Sequence, residues 1–239
     1  MKILFLVKTL RFDGGVETSV ASLVNAMSDA GNTVFVAALC GKRDNKLRHR
    51  LDIKSDRFLY LGSSDGIITS FRQVLTLRKF LITNKIDIIS THLFHAGLIG
   101  RLAAVFSKTK TMYTEHSTFF HWWSASHYLI DKYLARRTDA LIAVSRSVAA
   151  TLAARTAIYP DKIHVIPNII DRRRFYPPKK ELRGTKSIYV IGRMEYSKNI
   201  RFALDIQRHI SLKEHGVTMT IVGDGSLLAE VERFIENSG

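Results

Sequence analysis

Short apolar runs alternate along the chain with longer amphipathic ones. Ile3–Val7, Thr33–Leu39, Ile86–Ser90, Lys110–Tyr113, Ala140–Val144 and Lys162–Ile166 are continuous, mostly apolar and often β-branched. Strands covered on both faces read this way, whereas half-exposed strands alternate. Between them, Val16, Val20, Leu23, Val24 and Met27 fall at helical spacing over Val16–Ala30, with Gly31 as a stop. Ile67–Thr83 and Ser145–Ala157 predict helices in the same way. Strand and helix in turn predict an α/β fold, a doubly wound parallel sheet of Rossmann-like type, over residues 1–170. Pro167, Pro177 and Pro178 bracket the polar segment Asp171–Arg174, and a linker is predicted over 171–186. A shorter alternation follows: strand Ser187–Ile191, helix Lys198–Leu212, strand Thr218–Val222 and helix Ser226–Ile235. Two strands and two helices cannot cover both faces of a sheet, so 187–239 is expected to be an incomplete second Rossmann-like domain with apolar surface bare.

Composition narrows the setting. The single cysteine, Cys40, rules out an internal disulfide and suits a reducing cytosol. No apolar stretch is long enough to span a bilayer; Ala96–Phe106 comes nearest and is interrupted by Arg101. The 36 Lys and Arg exceed the 21 Asp and Glu, a net charge of +15 that draws the chain toward polyanions. Nucleic acid, an anionic membrane surface and phosphate-bearing substrates all qualify. The charge is spread through both halves, with no zinc-ligand cluster or RNA-recognition signature beside it, so composition alone leaves the three unranked.

Candidate chemistry gathers at the ends of predicted strands. Gly14-Gly15 lies between the first strand and a helix, where glycines admit an anion to backbone N–H groups at a positive helix end; a tight turn needing positive φ is the plainer reading. Gly192-Arg193 closes the strand after the linker and Lys198 stands near the next helix. A guanidinium and an ammonium there suit a diphosphate, although either alone reads as a solvated loop charge. Gly223-Asp224-Gly225 ends the last strand and reads as a turn. His92 and His95 have a metal-like spacing without the further ligands a site needs, so no metal is expected. His116, after Glu115 at a strand end, suits a hydrogen bond to a sugar hydroxyl or acid/base work, or is a satisfied loop histidine. The cluster Phe119-Phe120-His121-Trp122-Trp123, followed by Lys132, Arg136 and Arg137, suits a membrane interface, core packing or a cap over a cleft.

Taken in order, Gly14–Glu17, Thr114–His116, Val144–Ser147, Val165–Asn168 with Asp171, Ile191–Arg193 with Lys198, and Ile221–Gly225 resemble the retaining glycosyltransferases of family 4, along essentially the whole chain. The resemblance implies the GT-B fold, two Rossmann-like domains with the acceptor on the N-terminal one and most of the nucleotide sugar on the C-terminal one. It places donor phosphates near Gly14 and Gly15 and the transferred sugar at His116. Arg193 and Lys198 would neutralise the departing diphosphate without a metal ion. Family members continue to a Glu-x7-Glu motif that this chain does not reach, so the expectation is a fragment, a truncated frame or half of a split enzyme. The implied reaction moves a sugar from a nucleotide diphosphate to a hydroxyl of a glycan or lipid-linked glycan, with retention. Bacterial surface polysaccharide or lipopolysaccharide synthesis, in the cytoplasm or peripherally on the inner membrane face, is the implied setting. An inactive homologue, a subunit needing a partner and a basic nucleic-acid binder are the alternatives.

Overall fold

The computed structural model describes residues 1–10, 14–40, 51, 54, 57–62, 67–118, 125–170, 175–176, 187–213 and 216–238. The chain divides into two compact units, Met1–Phe175 and Tyr176–Gly239.

The first unit is built on parallel strands β1 (Lys2–Val7), β2 (Thr33–Ala38), β3 (Phe58–Tyr60), β4 (Ile88–His92), β5 (Lys110–Glu115), β6 (Ala140–Ala143) and β7 (Ile163–Val165), in the order β3-β2-β1-β4-β5-β6-β7. The helices are α1 (Gly15–Asp29), α2 (Ile67–Thr83), α3 (Leu93–Ala104), α4 (Ala125–Arg136) and α5 (Arg146–Thr156). Alternation within the buried strands decides which helix covers which face. Ile3, Phe5 and Val7 of β1 pack with Val34 and Val36 against Val20 and Val24 of α1. Leu4 and Leu6 point the other way and meet Leu77 and Leu81 of α2 and Ala96, Ile99 and Ala103 of α3. A third cluster joins Tyr113, Leu141 and Ala143 to Val148 and Leu152 of α5.

The short edge strand β3 is absent from the sequence reading, and two further elements depart from it. β4 runs two residues further than its apolar run, so His92 is its last residue. The run Ala96–Phe106 is mostly helix α3, disguised by glycines of poor helix propensity. Their purpose is close approach: a Cβ on Gly97 would lie 2.4 Å from the Tyr113 ring, and one on Gly100 2.4 Å from Thr91. None of the described helices is long and apolar enough to cross a membrane.

In the second unit β8 (Ser187–Ile191) and β9 (Thr218–Val222) form a parallel pair. Ile200 and Leu204 of α6 (Ile200–Lys213) pack with Met194, Leu227 and Val231, the last from α7 (Leu228–Ser238). Other apolar strand residues stay open: Tyr189 is 65% and Ile191 77% exposed.

Candidate active site

Strand order reverses beside β1, whose neighbours are β2 and β4. In open parallel sheets a crevice forms at the carboxyl ends of the strands at such a switch point. The α1 N-terminus, His92 and His116 all belong to this edge.

Gly14 caps α1 with φ −136°, an extended conformation open to any residue, and Gly15 has no positive φ either. The turn explanation therefore fails for both. A Cβ on Gly14 would lie 2.2 Å from Oε2 of Glu17. Its hydrogen makes room for that carboxylate on the first turn of α1, where the helix dipole favours negative charge. Gly15 is exposed and faces open space.

His92 is buried and stacks on Phe5 of β1 at 6.1 Å between ring centroids. The chain leaves it through Leu93 at φ +65°, a left-handed conformation that costs a bulky residue about 1–2 kcal/mol. His92 Nε2 lies 3.2 Å from Ser90 Oγ, and His92 Nδ1 lies 3.1 Å from His116 Nε2. Burial, and the neighbouring His116, push the His92 pKa down to about 3; burial takes His116 down to about 4. Both imidazoles are neutral at pH 7. Two proton arrangements satisfy the Ser90–His92–His116 chain, running in opposite directions. Under one, His116 Nδ1 carries the hydrogen; under the other it presents a lone pair. That atom has no partner within the described residues. A neutral group able to donate or accept suits a hydroxyl, not a phosphate needing a counter-ion. Below the pair runs a mostly apolar cleft of about 360 Å³, lined by Ile88, Met112 and Ile142 on the sheet, Val144 just beyond β6, and Leu23 and Met27 on α1.

The loop carrying His116 is braced by charge. Glu115 Oε1 accepts the backbone N–H groups of His116 and Ser117 at 3.0 and 3.2 Å. Its Oε2 accepts from the Tyr113 hydroxyl and, at 3.0 Å, from Arg155. Arg155 Nε also donates to Asp131, 2.9 Å away and fully buried, which pairs with Arg101 as well. Burial and the Glu115 carboxylate push the Tyr113 phenol well above its ordinary pKa, so it remains a donor. Sequence reasoning missed this network. Its one trace was Arg101 interrupting an apolar run; Asp131 and Arg155 sit in unremarkable helical contexts.

His95 is exposed on α3 while His92, three residues before it, is buried in the sheet, and no group of three metal-ligating side chains occurs among the described residues. Phe119 to Trp123, and Asp171, lie outside the described residues.

In the second unit the loop after β8 holds Arg193 and Lys198, both exposed and without an ion pair among the described residues. Lys198 ends a short 3-10 turn, and α6 begins two residues later. Gly223-Asp224-Gly225 is more than a turn. A Cβ on Gly223 would lie 1.8 Å from the Gly192 carbonyl oxygen, and Gly225 passes against Met194. The Met194 N–H donates to the Asp224 carbonyl at 2.8 Å, and the Leu227 N–H to the Met194 carbonyl at 2.9 Å. The glycines let two backbones touch, which holds the loop presenting Arg193.

A seven-stranded parallel sheet with helices on both faces and ligand-suited strand ends is the architecture of the GT-B glycosyltransferases. The structure of HepE from Anabaena in complex with UDP superimposes with a TM-score of 0.74 at 18% identity, over 99% of this chain and 66% of that one. The family model for Glycosyltransferase Family 4 matches residues 13–174, and the chain belongs to that family. Among curated relatives, the GPI3 subunit of phosphatidylinositol N-acetylglucosaminyltransferase from Saccharomyces cerevisiae is 25% identical over 248 residues, 94% of this chain and 53% of the relative. The Escherichia coli UDP-Gal:alpha-D-GlcNAc-diphosphoundecaprenol alpha-1,3-galactosyltransferase is 28% identical over 222 residues, 84% of this chain and 57% of the relative. The chain spans about half the length of these relatives.

Proposed function

We propose that this chain serves a glycosyltransferase that moves a sugar from a nucleotide diphosphate to a hydroxyl of a lipid-linked or glycolipid acceptor, with retention, at the cytoplasmic face of a membrane. The observation that carries the reading is the division of chemistry between the units. The first offers a neutral histidine pair fit for a sugar hydroxyl; the second offers two exposed cations, without an ion pair among the described residues, on a braced loop fit for a diphosphate. As the bond from the anomeric carbon to the diphosphate breaks, negative charge grows on the leaving oxygens. Arg193 and Lys198 stabilise it, work a metal ion would otherwise perform. The GPI3 relative is named for a phosphatidylinositol acceptor and the Escherichia coli relative for a diphosphoundecaprenol one, which supports a lipid-linked acceptor here. A role in bacterial surface polysaccharide or lipopolysaccharide synthesis belongs to the same reading.

The test is ligand-induced thermal shift with UDP and a panel of nucleotide sugars, on the chain itself and on a fusion to the C-terminal half of a relative. The melting temperature should rise with a nucleotide diphosphate, and less so in Arg193→Ala and Lys198→Ala. In the active fusion either substitution should lower turnover by about 10²–10³-fold, as loss of an oxyanion donor does. A shift by no nucleotide in either protein, or turnover untouched by both substitutions, rejects the reading.

A further inference from the structure

A second cavity, of about 380 Å³, opens where the amino ends of β5 and β6 meet the carboxyl ends of α3 and α4, at the opposite edge of the sheet from the histidine pair. Arg101, Phe106, Lys108, Lys110, Arg137 and Asp139 are among its lining residues. Cations beside helix carboxyl ends often do no more than answer the helix dipole. Here other residues fill that role. Arg78 donates to the Val105 carbonyl at the end of α3, and Arg136, the last residue of α4, reaches back one turn to the Lys132 carbonyl. Arg101 is engaged with Asp131, and Lys110 with Asp139 at 2.9 Å. Lys108 and Arg137 remain, without an ion pair among the described residues.

Phe106 stands at the rim. It is 86% exposed and sits at φ +58°, where glycine is at ease and a bulky residue is not. The Ser107 N–H donates to the Ala104 carbonyl at 2.9 Å and closes this turn. The Arg137 guanidinium lies 5.9 Å from the Phe106 ring centroid and 4.8 Å from that of Tyr133. An aromatic ring that strains its backbone and meets water gains nothing within the fold beyond one loose cation–π contact. The same exposed surface continues along α4 through Tyr133, 50% exposed, and Leu129, 68% exposed, spaced four residues apart on one helix face. That helix returns from the carboxyl end of β5 toward the amino end of β6. Its 12 residues reach about 18 Å, from the cavity toward the edge that holds the histidines.

We propose that this cavity receives the phosphate of an anionic lipid headgroup between Lys108 and Arg137, with Phe106 and the exposed face of α4 seated at the membrane interface. Free phosphate would satisfy the two cations but leave Phe106, Tyr133 and Leu129 in water. A lipid surface satisfies both, since an interfacial aromatic gains burial while the basic groups meet phosphate. The inference rests on the membrane-face part of the proposed function, but the two fail separately, because vesicle binding is measured with no donor present and nucleotide binding with no vesicle.

Co-sedimentation with phosphatidylcholine vesicles, with and without phosphatidylglycerol, tests it. Binding should need phosphatidylglycerol and weaken as salt rises. The Lys108→Gln, Arg137→Gln double variant should bind about thirty-fold more weakly, each basic residue near an anionic surface contributing about fivefold. Phe106→Gly should bind vesicles more weakly while melting at a higher temperature, because glycine relieves the left-handed turn. That opposite movement is not expected of a residue with a structural role alone. Equal binding to neutral and anionic vesicles, undiminished binding by the double variant, or a Phe106→Gly protein of lower stability overturns the proposal. So does saturation by inorganic phosphate in the absence of vesicle binding, which would assign the cavity to a free anion.

Discussion

At the residue scale, the histidine pair makes stability depend on pH in a definite direction. An imidazole in the unfolded chain protonates near its ordinary 6.5, while folded His92 and His116 resist protonation down to about 3 and about 4. Above the ordinary value both states are neutral and nothing is lost. As pH falls below it, the unfolded chain takes up protons the folded pair refuses, so stability declines until the folded values are reached. Urea unfolding at about pH 7.5 and about pH 5 should show this loss, and His92→Asn should lose less over the same interval. Equal losses in both proteins would place the two imidazoles in water rather than against each other. His116 was legible from its place after a strand, next to Glu115. His92 was visible only as half of a doubtful metal pair. Ser90 shares its face of β4 two residues back, but His116 reaches it only through the pairing of β4 with β5, and the left-handed turn at Leu93 that follows it is one no residue preference announces.

At the element scale, the buried charges join α3, α4, α5 and β5. Asp131 receives Arg101 and Arg155, and Arg155 passes on to Glu115 below the His116 loop. Removing one member of a buried set leaves the others charged and without water. Asp131→Asn should therefore cost about 3–5 kcal/mol in denaturant unfolding. A cost below about 1 kcal/mol, the range of exposed pairs, would show that water reaches these groups. The network also explains why α4 tolerates so much exposed apolar surface. Asp131, Leu134 and Ala135 hold it to the domain, leaving Leu129 and Tyr133 outward. Periodicity alone could not sort those positions, because the stripe that faces inward is centred on an aspartate.

For the whole molecule, the two units differ in how much core they own. Among the described residues the first has three apolar clusters on both sides of its sheet; the second has one, on one side of a two-stranded sheet. A pair of strands with one covered face is marginal by itself. Limited proteolysis should therefore cut first beyond Phe175 and leave a resistant fragment close to Met1–Phe175. Resistance that is uniform to the end of the chain would mean that the second unit draws stability from contacts beyond its own core.

The sequence by itself determined the layered plan. Continuous apolar runs between amphipathic ones leave a parallel sheet with helices on both faces as nearly the only way to bury both, and ordered short motifs then pointed to the family. Tertiary structure decided what those motifs do. Gly14 and Gly223 are small because of what passes beside them, a carboxylate in one case and a carbonyl in the other. Arg101 lies inside an apolar helix because Asp131, thirty residues on, meets it there. Lys108 and Arg137 are ordinary surface cations until the fold sets them around one cavity beneath an exposed Phe106. Periodicity is local and survives in one dimension. Pairing, close approach and electrostatic surplus depend on distances between residues far apart in the chain, which only the folded backbone sets.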